Sequence, residues 1–183
     1  MLPTVKKQRF VLWLQGRGFT LVEALTYVAL LSVILLAVTG LMLAMTTAYR
    51  SLRASRDVSI AASVVMDRIA TEVRSAESID AFGSVFGAHP GALRLNTLDA
   101  GGNPTTVEFF LAADALRIKE GGADKGSLSA SSTRVTNLLF RRLIASTSEA
   151  VRTEITLEAN YGGRVKSENF YLTNVLRGSY ENE

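Results

Sequence analysis

The chain has 183 residues, no cysteine and a single histidine, His89. That excludes a disulfide framework and a thiolate metal site, and leaves one residue on which to build a His-based metal site or a Ser/His/Asp triad. The net charge of +3 resides at the start: residues 1–18 hold Lys6, Lys7, Arg9 and Arg17 and no acid, so the remainder has 16 basic and 17 acidic residues. A near-neutral body argues against strong nucleic-acid binding.

Residues 1–18 read as a short basic leader. After them come Phe19, Thr20, Leu21, Val22 and Glu23, then a run from Ala24 to Met45 without a charge or a proline. A helix of about 20 apolar residues spans the hydrocarbon core of a bilayer. A secretory signal is cut after its apolar region at an A-x-A-like site, and Thr46–Arg50 is a poor one. The small residue here is Gly18, before the run, and a cut between Gly18 and Phe19 leaves the span on the product. Glu23 is a lone carboxylate at the edge of that span, which costs about 2–3 kcal/mol on insertion scales. Such a group is a functional candidate, or else rests at headgroup level.

Gly-Phe-Thr-Leu-Val-Glu before a long charge-free run resembles the class III leader of type IV pilins and type II secretion pseudopilins. The resemblance implies a leader over 1–18, a scissile bond between Gly18 and Phe19, and a new N-terminus at Phe19 that the prepilin peptidase also N-methylates. It implies that Glu23 offsets the Phe19 ammonium, in its own chain or in the neighbouring subunit, and so sets the filament register. K-type tip subunits often lack this acid, which argues mildly against that role. The positive-inside rule weakly favours a cytoplasmic N-terminus, because Arg50, Arg53 and Arg56 follow the span with only Asp57 against them. The motif carries the topology: its peptidase works at the cytoplasmic face of the inner membrane, which places the C-terminal head outside.

Beyond the span the helical pattern continues. Val58, Ala62, Val65, Ile69, Val73 and Ala76 recur at helical spacing, and no proline or glycine occurs between Gly40 and Gly83. One helix from Phe19 to Ile79 is expected, about 90 Å long at 1.5 Å per residue. Residues 19–46 form its transmembrane half and 47–80 its amphipathic half. Gly40 is its one interruption, read either as a soft point where the helix kinks or melts on assembly or as a small residue for membrane packing. Major pilins often carry a proline at the matching position.

From Ala81 alternation replaces the helical period. Strands are predicted at Leu93–Leu95, Thr106–Leu111, Ala115–Lys119, Val135–Leu143, Val151–Glu158 and Asn169–Leu176. Turns are predicted at Asp99–Pro104, Gly121–Gly122, Gly126–Thr133 and Tyr161–Gly163. The expected fold is α+β and pilin-like, a long helix whose second half packs on a mostly antiparallel head over 81–183. Asp67–Arg74, Val135–Phe140 and Asn174–Arg177 resemble J-type minor pseudopilins and W-type minor pilins. The missing C-terminal disulfide loop departs from major pilins and adhesins.

Candidate chemistry in the head is sparse. Asp99–Asn103 is read as a turn rather than a calcium loop, because Asp99, Asp114 and Asp124 are scattered and no EF-hand pattern occurs. His89 is read as a loop residue, and the serine-rich stretch 127–133 as a loop. Of Arg141 and Arg142 one should face solvent. Phe109 and Phe110 should point to opposite faces, one of them into the core. No cofactor, metal or catalytic residue is expected. The expected role is a structural minor pilin or pseudopilin, with other subunits, the prepilin peptidase, the inner-membrane assembly platform and the lipid bilayer as partners. The rival readings are a pilin-like binding module for DNA uptake or surface adhesion, and an anchored single-pass domain that never assembles.

Overall fold

The computed structural model describes residues 18–145 and 148–177. The leader, with Lys6, Lys7, Arg9 and Arg17, lies outside the described residues except for Gly18. The chain divides into two compact units, 1–45 and 46–183, so the amphipathic half of the helix belongs with the head.

Helix α1 runs from Leu21 to Ser75. In the first unit its apolar residues are exposed all round, and by length and composition it can cross a membrane. The polar side chains of this stretch return to the helix. Ser32 and Thr39 donate their hydroxyls to the carbonyls of Val28 and Leu35, both at 2.8 Å. A hydroxyl satisfied four residues back leaves no open donor to face hydrocarbon. The helix passes through Gly40 unbroken, and a Cβ there would meet nothing within 4 Å.

In the second unit the expected stripe is the buried one. Val58, Val65, Ile69 and Val73 are fully buried, and Ala62 and Ala76 nearly so. Ala54, Ala61 and Ala70 join them. The helix ends four residues earlier than the pattern predicts. Backbone pairing with the sheet takes over there: Glu77 and Asp80 donate their N–H groups to Asn96 and Arg94, each at 2.9 Å. The two residues between them form β1 (Ser78–Ile79).

Seven further strands follow: β2 (Leu93–Leu98), β3 (Pro104–Ala112), β4 (Ala115–Glu120), β5 (Ala123–Ser127), β6 (Thr133–Ile144), β7 (Glu149–Tyr161) and β8 (Arg164–Val175). All pair antiparallel, in sheets of order β1-β2-β3-β4-β5 and β6-β7-β8. The six predicted strands are present. Two short ones are additional, and β5 takes Gly126 and Ser127 out of the predicted turn. β8 begins five residues earlier than predicted.

Two-residue turns join β3 to β4, β4 to β5 and β7 to β8, each with both central residues at positive φ. That geometry matches the twist of a hairpin and favours glycine, as at Gly162–Gly163. The β3–β4 turn is built instead from Ala113 (φ 51°) and Asp114 (φ 59°). Left-handed backbone costs about 1–2 kcal/mol per non-glycine residue. Tertiary structure holds this turn, since the Asp114 carbonyl accepts the Val135 N–H of β6 at 2.8 Å.

β6 carries a register shift between Val135 and Asn137. The extra residue turns both Val135 and Leu138 inward, where strict alternation would send one out. The loop before β2 docks on this strand. Gly91 and Gly87 donate to the carbonyls of Leu138 and Phe140 at 2.9 Å, and the Leu138 N–H donates to His89 Nδ1 at 3.1 Å. His89 is therefore a loop residue that ties the two sheets together. The core lies between the α1 stripe and the inward faces of both sheets: Leu93, Leu95, Phe109 and Leu116 from one, Phe140, Val151, Ile155 and Leu157 from the other.

Truncating the middle of the stripe should cost most. Ile69→Ala is expected to lower stability by about 2–5 kcal/mol. Val64→Ala, on the opposite face at 52% exposure, should stay within about 0.5 kcal/mol. Urea denaturation of the two variants in one detergent checks the contrast.

Candidate processing and assembly site

Gly18, Phe19 and Thr20 precede the helix in exposed chain outside any regular element. Phe19 is 71% exposed, so the Gly18–Phe19 bond lies in accessible backbone. α1 opens with a defined cap: the Glu23 N–H donates to Thr20 Oγ1 at 3.2 Å, and the Ala24 N–H donates to the Thr20 carbonyl at 3.1 Å. Thr20 is thus the N-cap and Glu23 the third helical residue. This is the Ser/Thr-x-x-Glu spacing of a capping box, a pattern legible in the sequence but overlooked there. The hydroxyl satisfies one of four orphan N–H donors, and an acid in the first turn complements the positive end of the helix dipole.

The Glu23 carboxylate remains exposed. Tyr27, one turn on, donates its phenol to Glu23 Oε1 at 3.4 Å. The Tyr27 ring also meets the Phe19 ring, with centroids 5.6 Å apart and planes at 47°. Phe19, Glu23 and Tyr27 therefore gather on one face at the start of the helix. In the uncut chain the Phe19 nitrogen is a peptide amide, so no ammonium faces Glu23.

The head residues singled out in the sequence have ordinary partners. Asp99 Oδ1 accepts the backbone N–H groups of Gly101 and Asn103 at 2.8 and 2.9 Å, which closes the turn. Hydrogen bonds from Asn103, then Gly101, hold this carboxyl below its usual range. Asp124 is likewise lowered, chiefly by the Arg117 guanidinium at 2.9 Å and then by the Gly126 N–H. Asp114 sits in the β3–β4 turn. Among the described residues no three His, Asp or Glu side chains converge as a ligand set. Arg141 reaches Glu154 at 3.1 Å and Arg142 pairs with Glu149. Both arginines are exposed, not one alone. Phe109 is fully buried, while Phe110 is half-buried under the Lys119 ammonium, 4.1 Å from the ring centroid.

One contact, from Arg68 to Glu120, had no sequence signal. Arg68 reaches Glu72 at 2.7 Å and Glu120 at 2.6 Å, across 52 residues in the second case. Both carboxylates border an open cleft of about 560 Å³ that Glu77, Thr97 and Asp99 also line. Burial pushes the Glu72 carboxyl up, Arg68 works against that, and Glu120 adds to it.

No family model matches the chain, nor does any curated protein or solved structure.

The raised Glu72 carboxyl sets a pH dependence. An acid whose folded pKa lies above its unfolded value of 4.5 favours folding below that value, and the contribution is lost as pH rises through the folded pKa. Glu72→Gln removes this term while Arg68 keeps Glu120. The melting temperature of the variant should therefore gain on the parent between pH 4.5 and neutrality; parallel thermal melts across that interval check it.

Proposed function

We propose that this chain is a structural minor subunit of a type IV pilus or type II secretion pseudopilus, most like the J-type pseudopilins and W-type minor pilins. Prepilin peptidase cuts it at Gly18–Phe19 and methylates Phe19, and the inner-membrane assembly platform extracts it into a filament. The observation that carries the reading is the specific run Gly18–Glu23 ahead of a helix apolar on all sides, which then becomes amphipathic and packs on an antiparallel head. The charge-free half packs helix on helix in the filament core, and the head lies on the outer side of the membrane and supplies outer contacts, at the tip or in initiation. Glu23 offsets the Phe19 ammonium of the next subunit. Within the same superfamily, a head that binds DNA or surfaces has less support, given the near-neutral body; a salt-dependent mobility shift of DNA would revive it.

Intact mass and N-terminal analysis from host membranes, with and without prepilin peptidase, is the direct test. The expected product begins at N-methylated Phe19 and appears only with the peptidase. A chain still starting at Met1, or cut beyond Met45, overturns the reading.

The Thr20 cap, with Glu23 at the third helical position, favours a second reading, in which Glu23 only supports the helix start of an anchored domain that does not assemble. Glu23→Gln separates the two, because glutamine serves at that position of a capping box but carries no charge. Under the assembly reading, cysteine cross-linking between neighbouring subunits should fall by about tenfold, the scale of a lost charge pair. Under the anchored-domain reading the variant behaves as the parent.

A further inference from the structure

The head contains many arginines, and the paired ones are distributed unevenly. Arg68, Arg94, Arg117, Arg134, Arg141, Arg142 and Arg152 each lie within ion-pair distance of a carboxylate. Among the described residues, no ion pair engages Arg50, Arg53, Arg56 or Arg164. Asp57 is the one acid beside the first three in sequence.

Folding brings three of these cations, Arg50, Arg53 and Arg164, to the β7–β8 turn, while Arg56 lines an open cleft with Asp57. The Tyr161 ring at the end of β7 lies under the Arg53 guanidinium, 4.7 Å from its centroid. A Cβ on Gly162 would meet the Arg50 guanidinium at 3.1 Å. The β7–β8 turn therefore rests on the first turns of α1 within the second unit and adds Arg164 to Arg50 and Arg53. Apolar side chains stand exposed among the charges: Tyr49 at 62%, Leu52 at 70% and Val165 at 58%. Arginine beside tyrosine and aliphatic groups is the composition of a membrane–water interface, where aromatic rings sit at headgroup level and long cationic side chains reach the phosphates.

The place along the chain agrees. Arg50 is the fifth residue after the charge-free run 24–45, about 7.5 Å of helical rise. The headgroup layer on each side of the hydrocarbon core is about 5–8 Å thick. Resting on the reading of that run as a membrane span, we infer that Arg50, Arg53 and Arg164, with Tyr49 and Val165, form a docking surface for anionic phospholipid headgroups. The β7–β8 turn lies down on the bilayer and is held there by phosphates. Charge complementarity selects the occupant: three guanidinium groups without carboxylate partners face a layer whose anionic lipids attract each basic residue near the surface.

Hydrogen exchange on the full chain in lipid nanodiscs tests this. With about 30% phosphatidylglycerol, the amides of 158–167 should exchange about threefold or more slowly than in phosphatidylcholine alone. High salt should shrink the difference, as screening requires. The variant R50Q/R53Q/R164Q should lose it, and R50K/R53K/R164K should keep it, which separates charge from a general weakening of the turn. An inserted chain whose turn exchanges alike in both lipids overturns this inference alone. A chain that alkaline carbonate strips from membranes overturns the membrane reading and this inference with it.

Discussion

Between Ala54 and Val73, α1 buries a stripe in which alanines are interspersed with valines and one isoleucine. Burying a Val or Ile side chain contributes about 1.5–3 kcal/mol, so Val58, Val65, Ile69 and Val73 together rival the roughly 5–15 kcal/mol by which a whole domain is stable. Both sheets depend on that one surface. Leu95 and Phe109 from one sheet and Phe140 and Ile155 from the other meet in a single core with the helix as its centre. The head is a half-structure that the helix completes, and for that reason residues 46–75 group with it rather than with the span.

The same helix has two halves of different composition. In its first half the hydroxyls fold back onto the helix's own carbonyls, as a segment in hydrocarbon requires. In its second half Ser63, Thr71 and Ser75 fold back in the same way, while the arginines reach outward to other elements, as Arg68 does to Glu120 and Arg74 to Asn174. The change comes with the first charged residue after the apolar run, Arg50.

How much of this was legible depends on the range of the signal. Six positions of the stripe were readable, because helical periodicity is local and all six are buried; Ala54, Ala61 and Ala70 join them only in the fold, since alanine is common on either face of a helix. The long strands were readable for the same reason, as Val151, Ile155 and Leu157 show. β5 was not, because Ala123–Ser127 is an exposed edge with no apolar alternation to read. β1 was hidden inside a helical pattern that outlasts the helix; only pairing with β2 reveals where the helix must stop. The register shift in β6 leaves a trace in the spacing of Val135 and Leu138, but a partner strand is needed to interpret it. The Thr20 cap is local in sequence, and the Ser/Thr-x-x-Glu spacing alone carries it. The Arg68–Glu120 pair had no sequence signal, being a product of topology.

Thr20 and Glu23 also bear on what a cut at Gly18–Phe19 would do to the helix. The cap lies wholly on the product side of that bond, so the shortened chain keeps its first turn intact. The new ammonium would stand one residue before the cap, at the positive pole of the helix, where a cation is repelled by the aligned peptide dipoles. Left alone, that repulsion would fray the first turn. The Glu23 carboxylate lies in the same turn and compensates both the pole and the ammonium. Processing would thus convert a terminus that is merely capped into one where three charges, two positive and one negative, are held within a single turn. Such a terminus retains an unmet demand for negative charge, which a neighbouring helix carrying its own copy of the acid is able to supply.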